Sequence, residues 1–147
     1  MPNIVSRCPH CLKTNRVPIE RVRDKAVCGA CKRPLFDGKP VAASSTNFDA
    51  LIQSYDRVVV DFWATWCGPC VGFAPVFEQA ANAKSGQLRF IKVDTEAEPM
   101  LVTKYNIRSI PTLIAFKAGK PIAEINGALP QQQFEQWLNT LSDHSQY

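Results

Sequence analysis

No stretch of this sequence is both long and apolar. The most hydrophobic run, Val58 to Trp63, is broken by Asp61 and falls far short of the roughly 20 residues that cross a bilayer. No membrane association is therefore expected. The opening residues, Met-Pro-Asn-Ile-Val-Ser-Arg-Cys, lack the apolar centre of a secretory leader. A transit peptide is not expected either, because paired cysteines begin at residue 8. No glycine-rich nucleotide-binding motif occurs, so no bound organic cofactor is expected. Histidine is scarce, with only His10 and His144. No internal repeat is visible beyond the cysteine pairs.

Those pairs are what the sequence does have. Its six cysteines fall as Cys8/Cys11, Cys28/Cys31 and Cys67/Cys70, each a C-x-x-C. An exported disulfide framework scatters its cysteines to bridge distant segments. Close pairs without a leader point to metal binding or redox chemistry in a reducing compartment, here the cytoplasm. Charge is also uneven. Residues 1–40 hold nine Lys/Arg against three acids, a net +6, which leaves −2 over the remainder of this 147-residue chain. Such asymmetry indicates two modules.

Residues 1–38 form the first. Leu12, Val17, Ile19, Val22, Val27, Leu35 and Phe36 bury too little area to fold the segment alone, so it needs a staple. Residues 39–46, small and polar, read as a linker. Residues 47–147 alternate helix and strand signals. Thr46 or Asn47 caps a short helix with Phe48, Leu51 and Ile52. Arg57–Trp63 is a buried strand. The helix after Cys67 carries Phe73, Ala74, Phe77, Ala80 and Ala81 on one side, and Pro75 kinks it without ending it. Strands follow at Leu88–Val93 and Thr112–Phe116, separated by helical turns at Met100–Tyr105. Ile122–Ile125 pairs back through the Ala118-Gly119 turn. Pro130–Leu141 is an amphipathic helix burying Phe134, Trp137, Leu138 and Leu141. The expected class is α/β, in the order α-β-α-β-α-β-β-α.

Cys67-Gly68-Pro69-Cys70 follows a strand and opens a helix. The helix N-terminus supplies free N–H groups and the positive end of the dipole, and both favour a thiolate. Cys67 is thus the expected attacking group, with a depressed pKa. Cys70, one turn inside, is the expected resolving group. A zinc site here would need two further ligands, and the C-terminal region offers only His144.

Asp61 through Cys70 (Asp-Phe-Trp-Ala-Thr-Trp-Cys-Gly-Pro-Cys), then Ala74-Pro75, then Ile110-Pro111-Thr112, resemble the thioredoxin family over residues 40–141. The resemblance implies a thioredoxin fold, with a central mixed sheet flanked by helices. It implies a cis Ile110-Pro111 peptide facing the dithiol. It gives Asp61 the role of buried proton acceptor for Cys70. Desolvation in an apolar strand agrees with that role by raising the carboxyl pKa. Trp66, Gly68, Pro69, Ile110, Pro111 and Gly127 would make the substrate surface, while Trp63 is expected in the core. Lys92 matches a lysine that approaches the aspartate in many members. Val71 departs from the lysine that many carry there. Gly-Pro between the cysteines resembles reducing members, so the implied activity is protein-disulfide reduction. Disulfide-containing proteins would be the substrates and a thioredoxin reductase the partner, with NADPH acting only through it. A monomer is expected.

Cys8, Cys11, Cys28 and Cys31 form C-x2-C-x16-C-x2-C, the spacing of a zinc ribbon. Four thiolates hold one Zn2+ tetrahedrally with no open position, so the ion is structural. Two further redox dithiols and inter-pair disulfides are the rivals. His10 reads as an exposed knuckle residue. A zinc module ahead of such a domain resembles the bacterial thioredoxin 2 subgroup. Two other functions compete: a zinc-linked redox sensor or chaperone, and a nucleic-acid module with a redox switch. The basic residues are dispersed, with no aromatic interleaving beyond Phe36, which disfavours nucleic acid.

Overall fold

The computed structural model describes residues 3–21 and 26–142. Val22 and His144, singled out in the sequence, lie outside them. The chain begins with a two-stranded antiparallel hairpin, β1 (Asn3–Arg7) and β2 (Thr14–Pro18), whose register places Arg7 opposite Thr14. A 3-10 turn at Ile19–Arg21 follows. The remaining elements are β3 (Val41–Ala42), α1 (Phe48–Ile52), β4 (Arg57–Trp63), α2 (Gly68–Ala83), β5 (Arg89–Asp94), α3 (Pro99–Lys104), β6 (Thr112–Lys117), β7 (Lys120–Asn126) and α4 (Gln131–Ser142). One five-stranded sheet runs in the order β3-β5-β4-β6-β7. The β3, β5 and β4 strands are parallel to one another, and β6 and β7 antiparallel. This is the expected mixed sheet.

Two features differ from the sequence reading. The segment 39–46, expected as a linker, contains β3. Val41 and Ala42 pair with Ile91 and Lys92 at the sheet edge, and the Ala43 amide donates to the Lys92 carbonyl. Two residues carry no readable period, so only the exposed edge of β5 makes them a strand. The β1–β2 hairpin likewise goes beyond that reading, which places no strands in the first module.

Parity along β4 divides the core. Val58, Val60 and Phe62 face the layer built with Phe48, Leu51 and Ile52 of α1 and Leu101 of α3. Val59 faces the opposite layer, packed from Phe73, Phe77, Ala80 and Ala81 of α2 and Phe134, Leu138 and Leu141 of α4. Side chains alternate along a strand, so Asp61 shares the face of Val59 and lies beneath α2. That helix runs unbroken from Gly68 to Ala83 with Pro75 inside it. Asn47 is the cap position of α1, but its side chain makes no capping bond. Its Oδ1 instead accepts from the Ser44 amide at 2.8 Å.

Candidate active site and metal centre

The dithiol sits where β4 hands over to α2. Cys67 has an extended backbone (φ −87°, ψ 111°) and occupies the N-cap of α2, with Pro69 in the first turn. Proline suits that position because its missing N–H has no helical partner and its φ is already helical. The Cys67 sulfur accepts the Cys70 amide at 3.2 Å, so a helix donor that would be unpaired is aimed at sulfur. Cys67 and Cys70 are joined as a disulfide, with Cα atoms 5.2 Å apart. Both are buried, Cys70 at 1% exposure and Cys67 at 5%.

The Ile110–Pro111 peptide is cis, and the Ile110 carbonyl lies 3.7 Å from the Cys67 sulfur. The loop is held from below. The Gly127 amide donates to the Pro111 carbonyl at 2.8 Å. The Thr112 hydroxyl donates to the Ser109 carbonyl at 2.6 Å and pairs with Asn126 Oδ1 at 3.0 Å. Gly127 has φ +119°, a conformation glycine adopts without strain.

Asp61 is fully buried, and neither carboxylate oxygen has a hydrogen-bond partner among the described residues. Burial raises its pKa from 3.8 to about 7, against the lowering influence of Lys92. Lys92 is the registered neighbour of Asp61 across the β4–β5 pair. Its ammonium lies 4.4 Å from the centre of the Trp63 ring, a cation–π position, and not on the carboxylate. Trp63 is half-buried, packed against Ala64, Cys67 and Cys70.

A groove of about 500 Å³ opens beside the dithiol, lined by Trp66, Cys67, Gly68, Pro69 and Ile110 together with newly identified residues. Trp66 is 68% exposed, so it forms a wall of the groove and not a lid packed on the disulfide. Gly127 does not line it; its link to the site is the bond to Pro111. The additions are Thr95, Glu96, Val102, Ile107, Arg108 and Ser109. Thr95 and Glu96 follow the carboxyl end of β5, where open α/β sheets place their sites. Ile107 to Ser109 directly precede Ile110-Pro111, and that adjacency was the available signal. Val71 is exposed in the first turn of α2.

The other four cysteines converge elsewhere. Their sulfurs all lie within 4.8 Å of one another, with Cys8–Cys31 and Cys11–Cys28 each at 3.6 Å. A tetrahedral zinc ion with Zn–S bonds of about 2.3 Å sets its sulfurs about 3.8 Å apart, so the donors fit. The two knuckles repeat one geometry. The Leu12 amide donates to the Cys8 carbonyl, and Lys32 does the same to Cys28. Leu12 and Lys32 have φ of 66° and 67°. The Cys8 and Cys28 amides reach forward to the carbonyls of Lys13 and Arg33, both at 2.8 Å. Donors also surround the sulfurs: His10 N–H on Cys8, and Cys31 N–H, Asn15 Nδ2–H and Ala30 N–H on Cys28. Those on Cys28, the Cys31 amide foremost, help bring its thiol down to about 6, ready to ligate as thiolate. His10 is exposed and is no part of the cluster.

Comparison with known proteins follows this division. The family model described as Thioredoxin matches residues 39–140. That described as Thioredoxin 2, N-terminal, a zinc ribbon, matches residues 7–33. Thioredoxin C-3 of Corynebacterium nephridii is 40% identical over 133 residues, covering 90% of this chain and 91% of its own. A thioredoxin of Staphylococcus haemolyticus is 41% identical over 99 residues, 67% of this chain and 94% of its own. Among solved structures, a thioredoxin of Plasmodium falciparum superposes with a TM-score of 0.64 at 33% identity, covering 67% of this chain and 96% of its own. A mutant thioredoxin from Halobacterium salinarum gives 0.67 at 27% identity, covering 72% and 93%. Among the described residues no helix is long and apolar enough to cross a membrane.

Proposed function

The chain belongs to the thioredoxin family, and from that premise we propose that it reduces protein disulfides with Cys67 attacking and Cys70 resolving. Dithiol–disulfide exchange at this pair is its chemistry. The observation that carries the order is the Cys70 amide donated to the Cys67 sulfur at the mouth of a 16-residue helix. This donor and the helix dipole stabilise negative charge on Cys67 and not on Cys70.

In the first step the Cys67 thiolate attacks one sulfur of a substrate disulfide. That S–S bond breaks, the leaving thiolate takes a proton, and a mixed disulfide remains. In the second, Cys70 gives its proton to Asp61 and attacks the Cys67 sulfur. The Cys67–Cys70 bond forms as the second substrate thiolate leaves, so two electrons pass to the substrate. Asp61 suits the task because its pKa of about 7 lets it take and release a proton near neutrality. The substrate would lie in the groove of Trp66, Gly68, Pro69 and Ile110, with Pro111 and Gly127 fixing its floor. A thioredoxin reductase would return the electrons, drawn from NADPH.

The four cysteines would hold one zinc ion, which supplies a closed cross-link and no reactive position. We assign residues 1–38 to this module and 39–147 to the catalytic domain, whose sheet edge the segment 39–46 supplies as β3. A dithiol that must be regenerated and thiols that must stay free to ligate both suit a reducing compartment such as the cytoplasm. A monomer is supported by Lys120, Pro121 and Glu124 on the outer strand β7, residues that discourage edge pairing.

The test is insulin reduction coupled to thioredoxin reductase and NADPH. Cys67→Ser abolishes turnover, and Cys70→Ser accumulates a mixed disulfide on Cys67. Turnover retained in Cys67→Ser, or a substrate trapped on Cys70 instead, would overturn the assignment.

A further inference from the structure

Arg89 opens β5 and is 3% exposed, although it plays no part at the dithiol. Its guanidinium points into the N-terminal module. Nη1 donates to the Leu35 carbonyl at 2.8 Å, and Nη2 to Ser6 Oγ at 3.0 Å and the Arg7 carbonyl at 3.4 Å. Ser6 and Arg7 directly precede Cys8. The Phe36 ring covers the guanidinium at 4.2 Å and meets Tyr55 edge-on at 4.8 Å. The Arg7 amide also donates to the Ser54 carbonyl at 2.8 Å, and Leu12 packs on the layer built around Phe48 and Phe62. The module is thus seated on the catalytic domain around one buried cation.

A buried cation needs opposite charge or it disfavours the structure that holds it. Among the described residues no carboxylate forms an ion pair with Arg89. Every hydrogen-bond acceptor it uses among them is neutral, and its Nε has no partner there. Asp37 acts on it only from an exposed position, where solvent screens charge. Tyr55 and Cys8 also act on it; the Tyr55 hydroxyl donates to the Gly86 carbonyl and carries no charge, whereas Cys8 is fully buried within the four-sulfur cluster. Zinc with four thiolates carries a net charge of −2, more negative charge than the metal-free thiols hold.

We propose that the metal-thiolate cluster is the counter-charge of Arg89, so that metal binding and docking of the module onto β5 are one coupled equilibrium. The inference rests on the zinc reading above. With metal bound, the double negative charge holds the cation in place and the cation strengthens the hold on metal. Without it, the charge compensation of Arg89 is reduced and the seat of the module is weakened. By linkage each event favours the other by the same factor.

The test uses the full chain and zinc alone, with affinity measured by competition against a chromophoric chelator. Arg89→Met keeps most of the volume and removes the charge; Arg89→Lys keeps the charge and loses the forked donors. Arg89→Met is expected to weaken zinc binding at least fivefold, with Arg89→Lys closer to the wild type than to Arg89→Met. A residue that only packs would make both variants fail alike. A smaller loss in Arg89→Met, or equal losses in the two, overturns the coupling. A wild-type chain that takes up no zinc overturns the metal reading itself, which is a separate result. Should Arg89→Met fail to fold, amide exchange on the wild-type chain decides. Chelation should speed exchange across Arg89–Ile91 at least fivefold and leave the β6–β7 amides unchanged; unaltered protection at Arg89–Ile91 overturns the proposal.

Discussion

Replacing Asp61 by asparagine should stabilise this protein, by an amount that depends on pH in a defined way. The carboxyl is fully buried with no hydrogen-bond partner among the described residues, and burial lifts its pKa from 3.8 to about 7. The folded chain therefore holds a proton that the unfolded chain releases. Stability falls as pH rises through the window between those two values and is flat above it. At about 1.4 kcal/mol per pH unit, that window makes the full penalty about 4 kcal/mol. Asparagine is close in shape to the protonated acid and cannot ionise. Its advantage should be near zero below about pH 4, about 2 kcal/mol at about pH 5 and about 4 kcal/mol at about pH 8. With a urea slope of about 2 kcal/mol per molar, the midpoint at the alkaline end moves up by about 2 M. Urea titrations of both oxidised proteins, followed by tryptophan fluorescence at several pH values, provide the measurement. A difference independent of pH, or no gain at alkaline pH, refutes the reasoning. On the proposed proton transfer from Cys70 to Asp61, the same substitution should lengthen the life of the mixed disulfide.

Two further outcomes follow from neighbouring side chains. Lys92→Met removes the cation that lowers Asp61, so the carboxyl should titrate above about 7; carbon NMR of the side chain across pH reads this directly, and an unchanged or lower midpoint contradicts it. Trp66→Ala removes an exposed wall of the groove, so stability should stay within about 0.5 kcal/mol while KM for a protein disulfide rises several-fold. A matching loss of stability would mean that Trp66 packs as core.

Where local pattern and tertiary demand coincide, the fold was legible in the sequence. Arg57–Trp63 reads as a strand from its β-branched run and is β4 with those same bounds. Cys67 and Cys70 are placed by the strand before them and the helix after them. The two metal knuckles follow from spacing alone. What stayed hidden depends on partners far along the chain. Nothing in the local sequence marks Arg89 as buried; the Leu35 and Arg7 carbonyls, Ser6 and Phe36, all far along the chain, enclose it. Val41–Ala42 is a strand because β5 has a free edge. The hairpin β1–β2 brackets the first knuckle, where the Cys8 amide donates to the Lys13 carbonyl. Lys92 was expected near Asp61; register puts it there, but its ammonium sits over the half-buried Trp63 ring and makes no ion pair with the carboxylate.

The short strand β3 bears on how this chain can be divided. The stretch around Ser44 and Ser45 looks like a safe place to cut, yet β3 lies upstream of it and belongs to the sheet. A fragment starting at residue 47 would lose the Val41–Ile91 and Ala42–Lys92 pairing and leave the flank of β5 bare, a template for another copy. A fragment starting at residue 39 keeps that flank covered. The natural seam thus lies before Lys39, and any attempt to transplant the catalytic half onto another leader sequence should carry residues 39–46 with it.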